Sequence, residues 1–115
     1  MNDIDEIKEK LSQFALARDW DQFHSPKNLS MALAGEVGEL LELFQWLTEE
    51  QSNNLTREQR KAVEEEVADV FLYLLRLADR LGVDLLEVAK NKIIINENKY
   101  PVDKVKGSSK KYTEY

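Results

Sequence analysis

The sequence predicts an all-α, four-helix bundle-like domain with a short C-terminal tail, and three observations predict it. Glycine occurs four times and proline twice in 115 residues, too few turn formers for a sheet of short strands. No stretch alternates apolar and polar residues between turn signals, as a half-buried strand would. Apolar residues instead recur at three- and four-residue steps behind capping pairs, the pattern of amphipathic helices.

The elements follow in order. Asp3, with Glu6 three residues on, reads as a capping pair opening the first helix. Ile4, Ile7, Leu11 and Phe14 then share one face. A loop rich in aromatic and charged residues follows near residues 18–24. Ser25 and Pro26 start the second helix, a hydroxyl cap ahead of a proline whose missing N–H costs nothing in the first turn. That helix is expected to reach Leu47, with residues 48–55 as a polar loop. Thr56 and Gln59 open the third helix, which runs to Leu81 and stops at Gly82. Asp84 and Glu87 open the fourth, which ends at Tyr100 because Pro101 follows. Residues 1–100 are therefore read as the helical domain. Residues 101–115, without helical periodicity, form a basic tail of the same domain that is able to close over a site.

Composition narrows the chemistry. There is no cysteine and one histidine, which excludes disulfides, thiolate metal sites and any site needing two imidazoles from one chain. No apolar run approaches the ~18 residues of a membrane span, and Met1-Asn2-Asp3 does not read as a signal peptide, so a cytoplasmic address and no membrane partner are expected. Residues 1–100 hold 12 of the 16 basic and 20 of the 22 acidic side chains. So acidic a body lacks the basic footprint that polymeric nucleic acid requires, and it suits a protein that gathers cations.

Four carboxylates stand where a solvated helix would not need them. With Glu36 at zero on a wheel of about 100° per residue, Leu29, Leu33, Val37, Leu40, Phe44 and Leu47 lie on one side and Ala32 and Leu43 just on the other. Glu36 is thus inside the apolar arc, with Glu39 at its edge beside Trp46. The third helix repeats the arrangement: Val63, Val70, Leu74, Leu77 and Leu81 flank Glu66 on one side, and Ala62, Asp69 and Tyr73 on the other. Burying an ionised carboxylate is costly unless it is paired or binds a metal. Arg76 and Arg80 fall near the same edge and offer pairing. Converging acids would otherwise repel and raise one another's pKa values unless a divalent ion held them. Oxygen-only ligands select Mg²⁺, Mn²⁺ or Ca²⁺. A di-iron bundle needs two E-x-x-H pairs, and the sole histidine, His24, follows no glutamate at that spacing.

Glu36-x-x-Glu39 and Glu66-x-x-Asp69 resemble the motif of the all-α nucleoside triphosphate pyrophosphohydrolases, the MazG-like and dimeric dUTPase superfamily. Residues 18–24 (RDWDQFH), 35–39 (GEVGE), 43–46 (LFQW) and 108–114 (SSKKYTE) are similar to the single-domain dCTP pyrophosphatase branch. The likeness covers about residue 10 to the end. It implies a MazG-type fold and an enzyme that hydrolyses a nucleoside triphosphate, dCTP or a related or modified deoxynucleotide, to monophosphate and pyrophosphate in nucleotide-pool sanitation. It implies Mg²⁺, with Mn²⁺ able to substitute, on Glu36, Glu39, Glu66 and Asp69, with Glu39 and Glu36 as catalytic acids and Glu39 orienting or deprotonating the attacking water.

The same resemblance implies a nucleoside pocket at Trp20, Trp46 and Tyr73, phosphate-side positions at Lys92, Asn96 and Tyr100, and tail lysines Lys110 and Lys111 closing over the triphosphate. Phe14 and Phe44 read as core filling, and His24 as structural or peripheral to substrate. Residues 70–78 are apolar nearly all round, which buries a helix on more than one side. Subunit contacts supply the cover, and the resemblance implies a homotetramer built as a dimer of dimers. The rival readings are a non-catalytic helical oligomerisation or interaction module, and a related phosphohydrolase with another nucleotide substrate.

Overall fold

Capping chemistry sets where the helices begin. In the computed structural model, which describes residues 2–108, they are α1 (Asp3–Ala17), α2 (Pro26–Glu42), α3 (Glu49–Asn53), α4 (Arg57–Leu81), α5 (Leu85–Lys99) and α6 (Val102–Val105), with one 3₁₀ turn at Asp21–Phe23. No strand occurs among the described residues, so the chain is all-α as predicted. It divides after Gly82 into two compact units.

In the first unit α2 packs extensively on α4, and α1 lies against α4 as well. Leu29 of α2 and Leu75 of α4 are fully buried, and Ala15 of α1 and Ala78 of α4 are buried with them. The Thr56–Gln59 capping box and left-handed Gly82 (φ 67°) bound α4 as the sequence predicts. Ser25 accepts a hydrogen bond from the Asn28 N–H to cap α2, with Pro26 in its first turn. The second unit holds α5, capped by Asp84, which accepts from the Glu87 N–H, and ended at Tyr100 ahead of Pro101.

Four boundaries differ from expectation, each for a local reason. Asn2 rather than Asp3 caps α1, accepting from the Asp5 N–H at 2.8 Å. This leaves Asp3, Asp5 and Glu6 in the first turn, where the helix dipole favours acids. Helix α2 stops at Glu42, five residues before Leu47, because the chain turns to i−3 bonds: Leu43 N–H to Leu40 O, Phe44 N–H to Leu41 O and Leu47 N–H to Phe44 O. Apolar periodicity does not register that tightening. The supposed polar loop at 48–55 contains α3, opened by a complete Thr48–Gln51 capping box. Pro101 caps the single turn of α6, which is too short to show a period.

Candidate active site

Helices α2 and α4 bring three of the four predicted acids together. Glu36, Glu39 and Glu66 each offer a carboxylate oxygen, and these oxygens lie within 4.8 Å of one another. Glu36 and Glu66 are half-buried and Glu39 is exposed, as their places at the centre and shoulder of the apolar stripe predict. One oxygen of each inner acid, Glu36 Oε2 and Glu66 Oε2, is buried without a hydrogen-bond partner. Among the described residues no lysine or arginine forms an ion pair with this cluster.

Electrostatics follow from that geometry. Burial first, then the nearness of Glu39, Glu66 and the Asp69 charge, pushes the Glu36 carboxyl up to about 7. Glu66 is raised too, by burial first and by Glu39 and Asp69, with Glu36 acting in the opposite direction. Two orphaned oxygens and a third acid beside them form a hard, oxygen-only donor set, which fits a divalent cation.

Asp69 faces the neighbouring space. It lines a cavity of about 420 Å³, within the size range of small-molecule sites. Trp20 and Tyr73, two of the three residues the resemblance assigns to a nucleoside pocket, line the same cavity together with Phe14, Leu72, His24 and Arg76. Phe14 is no core filler: it is 46% exposed and meets Trp20 edge-on, ring centres 5.7 Å apart. The turn after α1 sets this wall. Asp19 adopts a left-handed φ of 57°, a conformation that Asp tolerates better than most residues. The Trp20 N–H returns to Ala15 O at 2.8 Å and the Asp19 N–H to Leu16 O at 3.1 Å, a Schellman closure with aspartate in glycine's usual place.

The sequence reading missed what holds the loop after that turn. Arg76 is 5% exposed. Its Nη2 donates to Asp21 Oδ1 at 2.6 Å and its Nε to His24 Nδ1 at 3.2 Å, while Nη1 lies 3.6 Å from Asp79 Oδ2. Arg80 Nη1 shares Asp21 Oδ1 at 3.1 Å. The arginines therefore pair with the loop and not with the four acids. A lone arginine within the apolar run VFLYLLRLA was the available signal, since a buried guanidinium demands an acid. Burial, then the Arg76 charge, lowers the His24 pKa from its usual value, with Asp21 acting against them.

The remaining predicted residues lie elsewhere. Trp46 falls beyond the end of α2 and is 87% exposed, so its expected position on the Glu39 edge of a continuous helix does not hold. Lys92 and Asn96 are exposed on α5, and Tyr100 caps that helix half-buried. All three belong to the second unit. Lys110 and Lys111 lie outside the described residues.

The MazG-like family model matches residues 31–115. The chain is 45% identical over 113 residues to dCTP pyrophosphatase 1 of Homo sapiens, a match covering 96% of this chain and 66% of that protein. It is 43% identical to dCTP pyrophosphatase 1 of Bos taurus over 113 residues, 96% of this chain and 67% of that one. The chain thus spans about two thirds of the length of these relatives. The crystal structure of a pyrophosphatase from Archaeoglobus fulgidus superposes with a TM-score of 0.82 at 38% identity, covering 88% of this chain and 94% of that one. Residue pattern, helical architecture and acid cluster converge on one assignment: the chain belongs to the MazG-like family.

Proposed function

We propose that this chain is a Mg²⁺-dependent nucleoside triphosphate pyrophosphohydrolase that converts a deoxynucleoside triphosphate, dCTP or a related or modified one, to monophosphate and pyrophosphate. The observation that carries the reading is the adjoining of a cation-hungry acid cluster and an aromatic cavity through Asp69, which lines the cavity and whose charge acts on Glu36 and Glu66. The names of the relatives, dCTP pyrophosphatase and pyrophosphatase, support the same chemistry.

In this reading Glu36, Glu39, Glu66 and Asp69 hold the ion. Bound there, Mg²⁺ supplies the positive charge that lets an acidic surface accept a triphosphate. Water attacks the α-phosphorus, the bond to the bridging oxygen breaks, and pyrophosphate leaves. Glu39, exposed at the rim of the cluster, orients the water and accepts its proton, with Glu36 beside it. Trp20 and Tyr73 flank the base.

We also infer self-association, with a homotetramer as the expected state. Val67, Phe71, Leu74 and Leu81 of α4 are exposed, an apolar face that a second copy would cover.

Incubation with each deoxynucleoside triphosphate and Mg²⁺, with products resolved by anion exchange, tests the proposal. Monophosphate and pyrophosphate, abolished by chelator, are expected. Diphosphate and orthophosphate would overturn the reaction.

A further inference from the structure

We propose that Asp79 is a positioning residue. It fixes Arg76 on α4, couples it to α1, and through Arg76 sets where the Asp21–Phe23 turn sits against α4.

Burial does not hold that turn. None of its three residues is buried, and Phe23 and the preceding Trp20 are exposed. Among the described residues its backbone bonds run to α1 or stay within the loop: Trp20 N–H to Ala15 O, Phe23 N–H to Trp20 O and His24 N–H to Asp21 O. The hydrogen bonds that reach α4 come from Arg76 and Arg80. The seat of the turn therefore depends on where those guanidiniums point.

Asp79 decides this for Arg76. The two stand three residues apart on one helix, which makes them neighbours on its surface, and Asp79 Oδ2 lies 3.6 Å from Arg76 Nη1. That partner is in place whatever the turn does, so Arg76 is aimed before Asp21 meets it. The other oxygen, Asp79 Oδ1, lies 3.8 Å from Lys8 Nζ on α1. One carboxylate thus ties the guanidinium to the helix from which the turn departs. Lys8, Asp79, Arg76, Asp21 and Arg80 form a chain of alternating charge. Neutralising Asp79 would leave Lys8 and Arg76 repelling each other and turn Arg76 from its line. Pairs as open to water as these are weak and screened by salt.

Two tryptophans make the test direct. In the full-length protein labelled with 5-fluorotryptophan, W46F identifies which ¹⁹F signal belongs to Trp20. D79N should displace the Trp20 signal as R76M does, and D79E should restore it. Salt at about 1 M, where the screening length is about 3 Å, should displace it in wild type and hardly in R76M. In turnover of a deoxynucleoside triphosphate, D79N should raise KM about threefold to fivefold, the worth of a partly exposed ion pair, at nearly unchanged kcat. D79E should stay near wild type. A purely structural Asp79 would lower the Tm of D79N and leave the Trp20 signal and KM where they are. That result, or a Trp20 signal that D79E fails to restore, would overturn the proposal. The KM arm rests on the function proposed above. The ¹⁹F arm needs no turnover, so an inactive protein whose Trp20 signal moves in D79N would sink that function and leave the role of Asp79 standing.

Discussion

Helix α4 carries two partly buried charged sites, and they solve the problem of burial in opposite ways. Toward its C-terminal end Arg76 is enclosed by Asp21 and Asp79, and Arg80 shares Asp21. Positive and negative groups balance there, and each nitrogen of Arg76 has a partner. Nearly three turns earlier Glu66 meets Glu36 and Glu39 with no counter-charge, two oxygens left without hydrogen bonds and Glu36 pushed up to about 7. The first site is complete within the chain. The second is left unbalanced by the chain's own side chains, which is what suits it to a cation in the function proposed above.

The sharpest way to break this comparison is to remove one oxygen of the incomplete site. E39Q keeps size and loses the base, so turnover should fall about 10²–10⁴-fold with an unchanged circular dichroism spectrum. Retained turnover would remove Glu39 from the chemistry. Next in size is the response to metal. Mg²⁺ at a hundred times its Kd should stabilise the protein by about 2.7 kcal/mol, a rise in Tm of roughly 10 °C, and E66Q should cancel most of it. An unmoved Tm at millimolar Mg²⁺ with nucleotide present would speak against the site.

The balanced end should answer in the reverse sense. R76M leaves Asp21 and Asp79 short of a partner and should cost about 2 kcal/mol, less than a fully buried pair because Asp21 is half-open to water. E66Q in metal-free protein should cost nothing or stabilise, since it removes repulsion. Equal losses in thermal melts of the two variants would erase the distinction.

The two ends also differ in their response to pH. Glu36 is raised in the folded state from 4.5 to about 7, so between those values the folded chain holds more proton than the unfolded one. Its contribution to metal-free stability therefore falls as pH rises through that window. His24, lowered in the folded state, works in the opposite direction below its usual value. The Tm of wild type minus that of E36Q isolates Glu36 and should fall steadily from pH 5 to pH 8, with E36Q becoming the more stable of the two.

Much of this was legible in the residues. Caps and stops read correctly at Ser25-Pro26, Thr56 with Gln59, Gly82, Asp84 and Pro101, whereas Asp3 with Glu6 placed the first cap one residue late. The inner acids were legible because a carboxylate on an apolar stripe contradicts its neighbours. Thr48 with Gln51 carries the same signature as Thr56 with Gln59, but its helix has only five residues, too few for an apolar period to mark it in the sequence. The end of α2 at Glu42 and the outward Trp46 were not legible, since a change from i−4 to i−3 bonding leaves the composition untouched. Nor was the Arg76–Asp21–His24 set, in which Arg76 stands more than fifty positions from the other two and meets them only when α4 folds back beneath the loop.

Helix α4 runs without glycine or proline from Arg57 to Leu81, which makes it a ruler. Seven residues separate Asp69 from Arg76, about 10 Å at 1.5 Å per residue, and two turns bring both side chains back near one face. Whatever occupies the cavity is measured along that span, one end at the acids and the other at the arginine. One alanine inserted between Tyr73 and Arg76 would lengthen the ruler by only about 1.5 Å but rotate its far mark by about 100°. Each end would remain chemically intact while the two ceased to face the same molecule.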